Sequence, residues 1–135
     1  LIPPTELTDQ HLIAEYREIT MIPAALKRTM KSKSGLTLEK IPKSFTLNKG
    51  HVMFFYNKGH YLFKRYQLLT LEMRNRGFKP NKNRKFPCDI FIKNNLFNDW
   101  EPTLKDLNII HDRIEAKIKK RKSTTNKNKN KWKYF

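Results

Sequence analysis

Within "DQHLIAEYRE", Asp9 to Glu18, three carboxylates share a few turns with Gln10, His11 and Arg17. A surface that only holds phosphates would avoid such acids. A carboxylate next to cations is useful where chemistry happens beside a phosphate: it can stabilise positive charge developing on a sugar, or move a proton. The ordinary alternative is the wet face of an amphipathic helix, with Glu15 and Glu18 solvated and Arg17 their counter-charge. Other chemistries find less support. The four histidines, His11, His51, His60 and His111, have no pair at helical metal-ligand spacing, and Cys88 stands alone, which argues against a metal centre and an internal disulfide. No Ser lies in a nucleophile-elbow context, and no Gly-rich phosphate loop is present. Of all the polar clusters, the one from Gln10 to Glu18 is best suited to chemistry.

Those residues need a scaffold. The chain of 135 residues is one domain by length, and with 38% hydrophobic and 12% aromatic residues it has a globular composition. No run approaches the length of a membrane span, and no signal-peptide pattern opens the chain. The net charge is +17. From Lys117 to Phe135 there are nine basic residues and no acid, which leaves +8 on the first 116 residues. The body is therefore basic in its own right, and a polyanion is its natural partner. Nucleic acid fits best. An anionic membrane surface ranks second, because no basic amphipathic helix with an aromatic face stands out.

The elements read as helices. Asp9 to about Met30 has helical spacing at Leu12, Ile13, Tyr16 and Ile19, with Thr8 as N-cap; Pro23 must kink this run or split it. "KSKSG", Lys31 to Gly35, is a polar loop, and the stretch after it to His51 is an irregular connection with room for short extended pieces. "HVMFFY", His51 to Tyr56, belongs in the core. A second helix runs from about Gly59 to Arg76, with Tyr61, Leu62, Arg65, Leu68, Leu69 and Met73 on its stripe and Gly77 at C′. "KPNKNRKFPCD" is a loop. A third helix starts at Thr103, with Asp106 in capping-box position; Leu107, Ile110, Ile114 and Ile118 form its buried stripe, and Arg113 and Lys117 share another face. The fold expected is all-α: a single compact domain, 1–122, of three main helices with long irregular connections. Residues 123–135 form a low-complexity, flexible basic tail ending in "WKYF". Its aromatics, Trp132 and Tyr134 among them, are suited to docking on the fold or to stacking on bases.

"LTDQHLIAEYREI", Leu7 to Ile19, closely resembles the first helix of the pyrimidine-dimer DNA glycosylases of the phage endonuclease V type. "LNKGHVMFFYNKG", Leu47 to Gly59, with "KRY" and "RGF" after it, resembles the family's second block. "NDWEPT", Asn98 to Thr103, and "RIEAKI", Arg113 to Ile118, resemble its third. The blocks come in the family's order and cover most of the chain. The resemblance implies a compact helical monomer that binds ultraviolet-damaged duplex DNA. It would cut the glycosidic bond of the 5′ base of a cyclobutane pyrimidine dimer, then break the strand by β-elimination, with no metal or organic cofactor. The family's nucleophile is the α-amine of an N-terminal Thr. Such an amine is roughly 10–20% neutral at pH 7, against about 0.04% for an ordinary Lys.

By position, the resemblance makes Glu18 the key carboxylate and sets Arg17 beside the lesion. It puts Gln10, His11 and Tyr16 on the helix face turned toward DNA, and it makes Arg28, Arg113 and Lys117 DNA contacts. Base release would need a bent duplex with a flipped nucleotide. Leu1 matches a position inside the family sequence, so the nucleophile is expected upstream of it, and Met21 stands where the phage member has an Arg. The setting implied is intracellular, in a bacterium or virus-encoded and acting in the host cell. The rival reading is a non-catalytic DNA- or RNA-binding relative without the nucleophile.

Overall fold

The computed structural model describes residues 2–33, 35–47, 50–81 and 84–123, with side chains as far as residue 116. Its α-helices are α1 (Asp9–Glu18), α2 (Met21–Lys31), α3 (His51–Phe54), α4 (Gly59–Asn75), α5 (Asp89–Lys93) and α6 (Leu104–Ser123), with 3-10 turns at Pro4–Glu6, Leu38–Lys40 and Phe55–Asn57. Among the described residues there is no strand, and the protein is all-α.

The first helical run divides, and the break explains what Pro23 does. Thr8 caps α1, its hydroxyl accepting from the His11 N–H at 3.2 Å. The helix ends at Glu18, and α2 starts at Met21. Pro23 is then the third residue of α2, where a missing N–H costs nothing because the first-turn donors have no partner within the helix. The split falls before the proline rather than at it.

α4 is the central helix. α1 packs antiparallel on it, with Asp9 meeting Arg76 at one end and Tyr16 meeting Tyr66 toward the other. Leu12, Ile19, Ile22 and Leu26 from the α1–α2 arm join Leu62, Leu69, Phe91 and Ile110 in the core. α3 and the turn after it add Phe54, Phe55 and Tyr56, so the "HVMFFY" run is core as expected. Trp100 stacks on Phe45 with centroids 5.8 Å apart and packs edge-on to Phe54, Phe55 and Tyr61. Leu68 departs from the expected stripe of α4: it is half exposed, while Tyr61, Leu62, Arg65, Leu69 and Met73 are buried.

Both ends of α4 are closed. The Gly59 N–H donates to the Leu96 carbonyl, and those of His60 and Tyr61 donate to Asn98. At the other end Gly77 takes φ +85°, and the Phe78 N–H donates back to the Met73 carbonyl at 2.9 Å, a Schellman closure. α6 begins with the expected capping box: Thr103 N–H donates to Asp106, and Asp106 N–H donates to the Thr103 hydroxyl. Of its stripe Ile110 is fully buried, Leu107 and Ile114 are half-buried, and the Ile118 side chain lies outside the described residues. The short α5, inside a stretch read as connection, buries Phe91. The tail from 124 onward lies outside the described residues. Among those described, no helix is long and apolar enough to cross a membrane.

Candidate active site and nucleic-acid face

α1 divides its polar residues between two sides. A step of about 100° per residue puts His11, Glu15 and Glu18, spaced i, i+4, i+7, on one stripe. All three are buried, Glu15 completely and Glu18 to 4% exposure. Gln10 and Arg17, also seven apart, face solvent. Gln10, His11 and Tyr16 therefore do not share a face: Gln10 is exposed, His11 lies on the buried stripe, and Tyr16 is buried on a third side against α4. The wet-face reading of Glu15 and Glu18 fails with it.

The two buried glutamates differ in their surroundings. Glu15 accepts two hydrogen bonds from Arg65 of α4, from Nε at 2.5 Å and from Nη2 at 2.8 Å. Burial would pull the Arg65 guanidinium down from its ordinary pKa; the charge and hydrogen bonds of Glu15 outweigh it, and the net shift is upward. This pair staples α1 to α4. Nearby, burial pushes the Tyr61 phenol well above its usual range. Glu18 sits one turn further on, at the end of α1, where the chain breaks toward α2 and Arg17 faces outward. A carboxylate so largely withdrawn from water acts through a low local dielectric on any charge that forms beside it.

Two arginines beyond the α1 string hold its ends. Arg76 donates to Asp9 at 2.9 Å, to Glu72 at 3.1 Å and to the Pro4 carbonyl at 3.0 Å, fixing the N-terminal 3-10 turn against α4. Arg84 reaches α1 from the loop after α4. Its Nη2 donates to the Tyr16 carbonyl at 2.6 Å and to the Thr20 hydroxyl at 2.7 Å, and its guanidinium lies 4.2 Å from the Tyr16 ring centroid. Tyr16 in turn stacks on Tyr66 with centroids 5.8 Å apart.

The exposed cations lie on several elements. Arg28, exposed on α2, lines a cleft of about 330 Å³ with Thr29, Ser32, Gly35, Leu36, Thr37, Lys40 and Met53. Arg113 is exposed on α6. The side chain of Lys117, and Trp132 and Tyr134, lie outside the described residues. Lys58 behaves differently: its amine donates to the Phe54 carbonyl and to Asn57 and lies 3.8 Å from the Phe54 ring centroid, and burial lowers its pKa to about 8. Among the described residues no group of three or more His, Cys, Asp or Glu could hold a metal ion.

Sequence reading missed the roles of Arg65, Arg76 and Arg84. Arg65 carried a signal: a cation on the apolar stripe of α4 must bury its charge against an acid. Arg84, in a basic loop, carried none. The family model described as pyrimidine dimer DNA glycosylase matches residues 1–86, which span α1 through α4 and the loop carrying Arg84.

Proposed function

The chain belongs to the pyrimidine dimer DNA glycosylase family, and from that premise we propose that it excises cyclobutane pyrimidine dimers from duplex DNA and then nicks the strand as an abasic-site lyase. The nucleophile in this reading is the protein's N-terminal α-amine. The segment leading to it is anchored, with Ile2 and Pro4 buried and Arg76 donating to the Pro4 carbonyl. The neutral amine attacks C1′ of the 5′ nucleotide of the dimer, the glycosidic C–N bond breaks, and the base takes up a proton. Loss of the amine proton and opening of the sugar leave an imine. Removal of a C2′ proton then expels the 3′ phosphate. The imine splits one hard displacement into two easier steps.

Glu18 stabilises the positive charge that develops on the sugar and assists the proton transfers, while Arg17 holds phosphate. The observation that carries this reading is the position of Glu18: almost wholly buried at the end of α1, one residue from an exposed arginine, inside the segment that matches the family. A flipped nucleotide opens the duplex beside the lesion. Gln10 and Arg17, with Arg28 and Arg113, supply contacts to the backbone.

The test is single-turnover cleavage of a duplex with one dimer, with borohydride trapping of the imine. Glu18→Gln is expected to keep the fold and lesion binding and to lose most cleavage; a rate near that of the parent removes Glu18 from the mechanism. Trapping is expected to vanish when the α-amine is acetylated, because the lone pair is lost. Lys58 is the internal amine to compare, since among the described lysines burial lowers its pKa to about 8. Trapping that survives acetylation but is lost in Lys58→Met moves the nucleophile to Lys58. A protein that binds damaged DNA without trapping or cleaving it is the non-catalytic relative.

A further inference from the structure

The break between α1 and α2 creates a mechanical problem at the residue that matters most. The last carbonyls of α1 have no partner within the helix, and they form the negative end of its dipole. Glu18 adds a carboxylate there, which the dipole disfavours. Arg17 in the last turn offsets part of this, but it is exposed and its charge is screened by water, and Ile19 and Thr20, which follow, carry no charge. A second, less exposed cation comes from a distant loop.

We propose that Arg84 is a positioning residue for the reaction, holding the α1–α2 junction so that Glu18 and Arg17 keep their places. This rests on the reading of Glu18 given above. The Arg84 Nη2 meets three acceptors that flank Glu18 on both sides: the Tyr16 carbonyl at 2.6 Å, the Arg17 carbonyl at 3.4 Å and the Thr20 hydroxyl at 2.7 Å. One cation thus neutralises the negative end of α1 and bridges the break to α2. The clamp is itself held. The guanidinium lies over Tyr16, its Cζ 4.2 Å from the ring centroid, and 5.6 Å from that of Tyr66. The Tyr66 hydroxyl donates to Arg84's own carbonyl at 3.1 Å, fixing the backbone that carries the guanidinium. With its Nη2 committed to two carbonyls and a hydroxyl of the junction, Arg84 acts through Glu18 and not on the phosphate. Removing it frees the last turn of α1 to shift, while the Glu15–Arg65 staple one turn back still holds the helix to α4. A displacement of about 1 Å at a reacting group costs up to about a hundredfold in rate.

The experiment is a double-mutant cycle on the full protein. Single-turnover cleavage, affinity for lesion DNA and its salt dependence are measured for Arg84→Gln, Arg84→Lys, Glu18→Gln and the pair Arg84→Gln with Glu18→Gln. Circular dichroism and the unfolding midpoint accompany each variant. Arg84→Gln is expected to slow cleavage by tens- to about a hundredfold while the salt slope of binding stays as in the parent. Arg84→Lys is expected to recover part of the rate, since an ammonium can donate to the same carbonyls although it lacks the planar guanidinium. In the Glu18→Gln background Arg84→Gln is expected to cost nothing further. Losses that multiply in the pair, no recovery in a folded Arg84→Lys, or a salt slope lowered by about one overturn the proposal, the last by making Arg84 a phosphate contact. If Glu18→Gln alone cleaves normally, the reading of Glu18 itself falls, and the clamp loses its purpose; multiplied losses with an inactive Glu18→Gln sink the clamp alone.

Discussion

Glu15 and Glu18 are three residues apart on one helix, and both are buried. Glu15 has both oxygens satisfied by the Nε and Nη2 of Arg65, with the pair at 0% and 4% side-chain exposure. Nothing is left over for a substrate, so Glu15 is structural. Taking two charges out of water is costly, and the bidentate geometry offsets that cost only while both partners remain. Glu15→Gln leaves the Arg65 charge buried without its counter-ion. We expect it to lower stability by about 3–5 kcal/mol, read as a fall in the denaturant midpoint at unchanged slope. Replacing the pair together, Glu15→Leu with Arg65→Met, is expected to return most of that loss, because no charge is then stranded. A single variant as stable as the parent would mean that the pair is not closed in solution. The spacing i, i+4, i+7 put both glutamates on one stripe, and this much is readable from sequence. That Glu15 meets Arg65 required the α1–α4 contact.

At the scale of elements, close approach decides the arrangement. Gly59 opens α4 under α5, and a Cβ built there would lie 2.4 Å from Cγ of Phe91. That ring is fully buried, so it cannot swing away. Gly59→Ala must therefore push α4 and α5 apart, and a loss of about 1–3 kcal/mol or more is expected. Gly77→Ala is the control: it meets open space, and its cost of about 1 kcal/mol comes only from its positive φ. Thermal unfolding of both variants checks the contrast; equal losses would mean that the α4–α5 contact is loose. The element boundaries were legible where the signal is local, as with Thr8, Gly77 and the Thr103–Asp106 box. The α1–α2 break was placed at Pro23 because proline is the visible breaker, although its first-turn position makes it a helix starter here. α5 escaped notice because five residues show no period.

For the whole molecule, charge sets how it meets its substrate. The first 116 residues carry +8, and exposed Arg17, Arg28 and Arg113 come from three different helices. Binding to duplex DNA should release counter-ions, and log K against log [salt] should fall with a slope of several units. Arg113→Ala is expected to reduce that slope by about one and leave lesion preference nearly intact, since a phosphate contact carries no sequence or lesion information. Titrations at a series of salt concentrations, on damaged and undamaged duplexes, measure both quantities. A slope that does not move assigns Arg113 to a surface away from the DNA.

The sequence by itself determined the class of fold, the family and the kind of partner. Helical periodicity, caps and net charge are properties of neighbours along the chain or of totals, so they survive without coordinates. The long string from Asp9 to Glu18 was specific enough to identify the chemistry expected. Only the tertiary structure decided which polar residues of that string are withdrawn from water, and by what they are held. Arg65 lies fifty positions from Glu15, and Arg84 lies sixty-eight from Tyr16. Pairings over such separations depend on how α4 and the loop after it pack against α1, and packing of that kind leaves no period in the sequence to read.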